Sequence, residues 1–356
     1  MASAMVSTYC EWGSYGSVLQ SIGLQQALGE LGVDSNVVRI SDPADHDPVK
    51  YRKGFGLKTL LVNAEKALHQ RKTKNLHRKN TCFIREHVNV QTFSSYAELE
   101  ANVPEADIYI AGSDQIWHPR IQREDFFLNH VPLGKPCITY AASMGVVEMT
   151  DQDRDRFRDC LSKFSTISVR EAEMVPVLEG VTDKQIQIHI DPTFLRSVED
   201  WRALSHPWGD ERPYILLYPI YWDKRFNNMV RELKRKTGYR VISIHSGLRD
   251  IYADQVISDA DVGEFLWLVD HAQYVITSSF HGAAFSLLFN KQFRAAINPA
   301  APSRIDNLLR LLEVDMPSMD DGWDTPELDY DHINNQIHVQ RQRGMEYLRS
   351  AVTNAI

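Results

Sequence analysis

The residues best suited to chemistry in this 356-residue chain lie where an apolar run gives way to a polar turn. The clearest case is Tyr274-Val-Ile276, followed by Thr277, Ser278, Ser279, Phe280, His281 and Gly282 and then by an apolar helical run to Phe289. Strand, tight turn and helix in that order place His281 at a helix N-terminus above the carboxyl end of a strand, where open α/β sheets bind ligands. First-turn N–H groups and the helix dipole favour an anion there, and histidine can move a proton near neutral pH. Other strand ends carry Ser17, Asp114, Ser143, Arg170, His245 and Arg304. Two arginines, each able to grip a carboxylate or phosphate through parallel hydrogen bonds, together with a histidine suit a small ligand bearing both groups. Each residue also has a plain structural reading. Arg170 stands before Glu171 and Glu173 and can form an ordinary ion pair, Arg304 can pair with Asp306, Asp114 can cap a helix, and His281 can be a satisfied core histidine.

The elements that must position these residues alternate. The chain opens as a strand near Ala4–Tyr9, a glycine turn holding Gly13 and Gly16, a helix near Val18–Leu28 and a strand near Ser35–Ile40. Further strands are expected within Ala106–Trp117, Cys137–Gly145, Thr166–Glu171 and Gln187–Pro192, with a helix over Asp151–Phe164. The alternation restarts near Glu199 with strands at Pro213–Pro219, Tyr239–Ile244 and Lys291–Ile297, and helices at Phe226–Lys236, Gly263–Ala272 and Ile305–Leu312. A last helix is expected near Ile333–Ala351. Strands alternating with helices in two sets imply an α/β protein of two Rossmann-like domains facing a central cleft.

Composition narrows the classes. A formal charge of −8 argues against general nucleic-acid binding, so an anionic ligand needs a local basic pocket. The four cysteines form no CxxC or Cys/His cluster, which suits a reducing compartment and no metal site. No run is long and apolar enough to span a membrane, and the N-terminus does not read as a signal peptide, so a cytoplasmic location is expected. Residues Lys50 to Lys79 are rich in Lys, Arg and His. They read either as a solvated helix or as a basic surface that meets anionic headgroups at the inner face of a membrane.

Six motifs taken together, Gly13-Ser-Tyr-Gly-Ser-Val-Leu-Gln20, Gly112-Ser-Asp-Gln-Ile-Trp117, Tyr140-Ala-Ala-Ser-Met-Gly145, Ser168-Val-Arg-Glu171, Asp191-Pro-Thr193 and Ser278-Ser-Phe-His-Gly282, resemble those of the polysaccharide pyruvyl transferases, in the same order. The resemblance implies the two-domain fold of GT-B glycosyltransferases and the transfer of pyruvate from phosphoenolpyruvate, as co-substrate and with no other cofactor, to a sugar hydroxyl pair. It implies an acceptor-side domain over residues 1–195, a donor-side domain over 196–330 and a helical segment over 331–356. His281 then stands at the family's essential histidine and Arg170 at its essential arginine. Arg304 occupies the region of a basic residue that is lysine in some members, and Ser17 stands where some branches carry an acid. Ser278, Ser279 and Gly282 fall on the donor side, Gly13, Tyr15, Gly16, Ser17 and Gln115 on the acceptor side, and Asp114 is a catalytic candidate. The acceptor expected from this likeness is a sugar, in some pathways a lipid-linked oligosaccharide. A nucleotide-sugar glycosyltransferase and a non-catalytic glycan-binding protein remain the rival readings on the same architecture.

Overall fold

Two parallel sheets form because their central strands are too apolar to leave either face in water and are covered by the helices that alternate with them. The computed structural model describes residues 2–41, 56–121, 123–145, 148–244, 252–297 and 304–355. The first domain runs β1 (Ala2–Ser7), α1 (Tyr15–Glu30), β2 (Val33–Ile40), α2 (Leu57–His87), β3 (Val90–Phe93), α3 (Tyr96–Ala101), β4 (Ile108–Ala111), β5 (Cys137–Thr139), α4 (Asp151–Leu161), β6 (Ile167–Val169), α5 (Met174–Glu179) and β7 (Ile186–Ile188). Its main sheet has the order β3-β2-β1-β4-β5. The parallel pair β6-β7 continues that sheet through single bridges from Ile138 to Thr166 and from Ala142 to Val169.

The second domain holds α6 (Val198–Leu204), β8 (Tyr214–Tyr218), α7 (Arg225–Thr237), β9 (Arg240–Ile244), β10 (Gln255–Ile257), α8 (Val262–Asp270), β11 (Tyr274–Thr277), α9 (Phe280–Leu288), β12 (Gln292–Ala295) and α10 (Arg304–Leu311). Its sheet, β10-β9-β8-β11-β12, repeats the topology of the first. In each sheet the strand order reverses beside the first strand of its domain, so a crevice opens at the carboxyl ends of β1 and β4 and another at those of β8 and β11.

Three features lock the domains together. The 3-10 turn Pro192–Leu195 packs against both α1 and α9. The last helix, α11 (Tyr330–Ala355), returns to the first domain, where Arg341 donates to the carbonyls of Phe194 and Arg196 and Tyr347 Oη donates to the Thr139 carbonyl. The third is α2, whose inner face holds the N-terminus of α8. Lys79 Nζ lies 2.5 Å from Glu264 and 3.7 Å from Asp261, and Asn75 donates to Asp259. His206, Asp261 and Glu264 have the spacing of a metal site, but both acids already cap α8 and the Lys79 ammonium lies against them.

The strand and helix cores match the sequence expectations, with ends shifted by a few residues. The short edge strands β3 and β10 and the helices α3 and α6 were not anticipated. The basic segment forms much of α2, which extends beyond Lys79 to His87, while residues 50–55 lie outside the described residues.

Two predictions concern this frame. Gly23 of α1 faces the backbone of Pro192 so closely that a methyl there would overlap its carbonyl. Gly23→Ala is therefore expected to destabilise the protein by about 1–3 kcal/mol, read as a lower urea midpoint. The buried His130 and His189 are both pushed down to about 4, chiefly by desolvation. A folded-state pKa below the unfolded value of about 6.5 means that the unfolded chain binds more protons between those limits. Stability should fall as pH drops from 6.5 towards 4, on the order of 1–2 kcal/mol per histidine by pH 5. Denaturant midpoints measured from pH 7 to 5 should show this slope, and His189→Asn should flatten it.

Candidate active site

Two arginines, three carboxylates and a histidine converge where the two domains meet. Arg170 follows β6, and its side chain is buried at 4 % exposure. Its Nε donates to Glu171 at 3.0 Å and its Nη1 to Asp191 at 2.6 Å, while Phe280 lies under the guanidinium at 4.2 Å. The remaining nitrogen, Nη2, is buried without a hydrogen-bond partner. Burial alone would lower the Arg170 pKa, but the carboxylates of Glu171, Asp191 and Asp114 outweigh it and hold the group firmly charged.

Asp191 precedes the turn that packs against α1 and α9. Its Oδ1 accepts from the Thr193 amide and hydroxyl at 3.0 and 2.9 Å, and its Oδ2 accepts from Ser113 and Arg170. Burial would raise its pKa, yet Arg170 and His281 lead the interactions that reverse this and keep it below the usual carboxylate range. The same Oδ2 lies 3.9 Å from His281 Nε2.

His281 is presented by the first turn of α9, whose N-cap Ser279 accepts from the Gly282 amide at 3.2 Å. The ring lies against Gly16 of α1, where a methyl group would overlap it, so this glycine permits close approach of the two domains. Nε2 of His281 is buried and unpartnered. Desolvation lowers the imidazole pKa, Asp191 and Asp114 oppose that shift, and Arg170 and Arg304 add to it.

Arg304 opens α10 and reaches across the cleft to Asp114, Nη1 to Oδ1 at 3.8 Å, with its side chain 29 % exposed. A second tie between the domains, from the Ala172 amide to Asn307 Oδ1 at 3.0 Å, seats α10 on the Arg170 turn. Asp114 has a left-handed backbone, φ 69°, which aspartate tolerates better than most residues. It follows β4, and its carboxylate accepts from the Gln115 amide.

The structure thus brings His281, Arg170, Arg304 and Asp114 together. Other candidates lie nearby with their polar atoms engaged. The Ser278 hydroxyl accepts from the amides of Ile220 and Tyr221 and donates to the Tyr221 carbonyl. Ser17 bonds within its own loop, to Glu11 and Ser14. Tyr15 is buried, donates to the Ala260 carbonyl and stacks on Phe265. Ser143 donates to Glu171. The Gln115 side chain covers Gly145, and Gly13 is exposed with open space above it. His245 and residues 298–303 lie outside the described residues. Sequence reasoning missed Asp191 and Glu171 as site residues. The signal for Asp191 was the Asp-Pro-Thr run, which read only as a motif and a break in the alternation.

The profile of the family described as polysaccharide pyruvyl transferase matches residues 15–298. The chain belongs to that family. No curated protein sequence matches this transferase. Solved structures similar to it include an α-glucosyltransferase in complex with UDP and a 13-mer DNA, at 9 % identity and TM-score 0.52 over 99 % of this chain and 95 % of that one. A protein assigned as a UDP-N-acetylglucosamine 2-epimerase from Listeria monocytogenes is similar at 8 % identity and TM-score 0.50, over 98 % and 90 %. At these identities the likeness is one of fold, and the transferase has the two-domain GT-B architecture.

Gly16→Ala follows directly from the packing. The added methyl must displace the His281 ring, so pyruvyl transfer should fall by at least about tenfold. The urea midpoint should change less than in a variant that disturbs backbone packing. Steady-state rates beside the denaturation curve would check this.

Proposed function

We propose that this transferase moves the pyruvyl group of phosphoenolpyruvate onto two hydroxyls of one sugar, forming a cyclic ketal during assembly of an exopolysaccharide or cell-surface glycan. The observation that carries the reading is the buried, unpartnered Nη2 of Arg170 beside the buried, unpartnered Nε2 of His281, with Arg304 across the cleft. Unpaired buried polar atoms are costly, and a donor with a carboxylate and a phosphate would satisfy both.

In the proposed reaction a sugar hydroxyl adds to C2 of the donor and a proton adds to its methylene carbon. The bond from C2 to the phosphate oxygen breaks, and a second hydroxyl closes the ketal. Of the two hydroxyl protons lost, one is balanced at the new methyl group and the other on the released phosphate. Positive charge develops at C2 between two anionic groups, so Arg170 and Arg304 hold the donor without reorganising. His281 transfers a proton or binds the phosphate, and Asp114 accepts a hydroxyl proton on the acceptor side. The roles of Ser279 and Gly282 are to shape the α9 turn, and that of Gly16 is to admit the His281 ring. This scheme needs no further cofactor. The acceptor is a sugar, free or lipid-linked, and the work is done at the cytoplasmic side.

The test incubates the full chain with phosphoenolpyruvate and a panel of aryl and lipid-linked sugars, following phosphate release and product mass. A product heavier by one pyruvate ketal, formed with stoichiometric phosphate, is expected. Turnover of a nucleotide-sugar with no ketal product would overturn the proposal in favour of a glycosyltransferase. Glycan binding with neither turnover would favour a non-catalytic role. His281→Ala should lower kcat by about 10²–10⁴-fold, and Arg304→Ala should raise KM for the donor by about ten- to a hundredfold.

A further inference from the structure

The outer face of α2 takes no part in the site, yet the helix carries a large excess of positive charge. Between Leu57 and His87 eight Lys or Arg stand against two Glu, a formal +6 in a chain whose total is −8. Helical geometry sorts these charges. At 3.6 residues per turn, Leu60, Ala67, Arg71, Lys74, Arg78 and Arg85 fall on one narrow stripe. All six are exposed, Leu60 at 68 %. Neither Glu65 nor Glu86 lies on that stripe by the same spacing. Among the described residues no carboxylate pairs with its four cations, and the contacts of Arg78 and Arg85 are with the neutral Asn75 and Cys82.

The opposite side of the helix is committed. Phe83 and Ile84 are buried in the first domain, Lys79 and Asn75 hold the acids at the start of α8, and Asn80 donates to the Trp12 carbonyl. The stripe therefore cannot roll inwards, and it belongs to the same body as the Trp12 loop that leads into Gly16. A solvated helix face usually mixes signs, because like charges repel one another. This one keeps a single sign over about 21 Å from Arg71 to Arg85 and adds a bare leucine about 16 Å beyond Arg71.

We infer that this stripe docks the protein on the surface of a lipid bilayer carrying anionic headgroups. A straight row of cations on one face of a long helix matches a flat, negatively charged plane along its whole length, and each basic residue near such a surface adds attraction that salt screens. Leu60 at the outer end supplies an apolar contact with the headgroup boundary.

The full chain is sedimented with vesicles of phosphatidylcholine alone and of equal parts phosphatidylcholine and phosphatidylglycerol. Binding to the anionic vesicles only, weakening as salt is raised, is expected. The triple variant Arg71→Glu, Lys74→Glu, Arg78→Glu should lower that partitioning by at least about tenfold, and Leu60→Asp should lower it less. Both should keep the parent's urea midpoint and its rate on a short soluble acceptor, since neither touches the cleft. Equal binding to neutral vesicles would overturn the inference. So would anionic binding that the triple variant retains, or capture by a heparin column without binding to either vesicle.

Discussion

The pairing of Arg170 with Asp191 is the interaction on which the site depends. Both side chains are buried, the bond is short, and each partner is fixed from behind, Arg170 by Glu171 and Phe280, Asp191 by Thr193 and Ser113. Breaking a buried ion pair by removing one member typically costs about 3–5 kcal/mol, so neither group is free to reorient towards a ligand. What results is direction. Two of the three guanidinium nitrogens are committed within the protein, and the third is left for something else. Asp191 also stands at the start of the Pro192–Leu195 turn, so the ion pair and the packing of that turn against both domains are parts of one arrangement.

Close approach of the domains is the second requirement. His281 belongs to the second domain, while Arg170, Asp191 and Asp114 belong to the first. The imidazole comes within reach of them because α1 carries glycine at the point of contact. The same helix carries Gly23 against the Pro192 carbonyl, so α1 holds both the turn and the histidine by having no side chain at either place. Tyr15, one residue before Gly16, stacks on Phe265 and bonds to Ala260, fixing the start of the helix to the second domain.

How much of this the sequence made legible depends on the range of the interaction involved. Long alternating segments such as Pro213–Pro219 and Phe226–Lys236 were readable because periodicity is local. The edge strands β3 and β10 were not, since Val90–Phe93 and Gln255–Ile257 are short and largely unburied on one side, and pairing alone makes them strands. His281, Arg170, Arg304 and Asp114 were readable as strand-end charges. Hydroxyl groups were harder. Ser17 and Ser278 have the residue type of ligand-binding groups, but a short side chain on a tight turn finds backbone partners first, and theirs are satisfied in this way. Asp191 was missed as a partner of Arg170 because 21 residues, holding α5 and β7, separate them.

The charges in the cleft explain why a histidine suits this position better than a third fixed cation. Arg170 and Arg304 face the carboxylates of Asp191, Glu171 and Asp114, so without a charge on His281 the group carries one more negative charge than positive. Burial keeps the imidazole inclined to its neutral form. The donor proposed above, with a carboxylate and a phosphate, would therefore not be drawn in by net charge. In the proposed reaction it would be held by the free Arg170 nitrogen, by the N-terminus of α9, and by Arg304, whose 3.8 Å contact with Asp114 is loose enough to be exchanged. An anion beside the ring would act in the opposite sense and raise the imidazole pKa. Binding of the proposed donor would then be linked to proton uptake. A permanent cation would bind the donor as well but would bring no proton with it. In the proposed reaction a histidine could give that proton to the methylene carbon or keep it and hold the phosphate, whereas a fixed cation allows only the second.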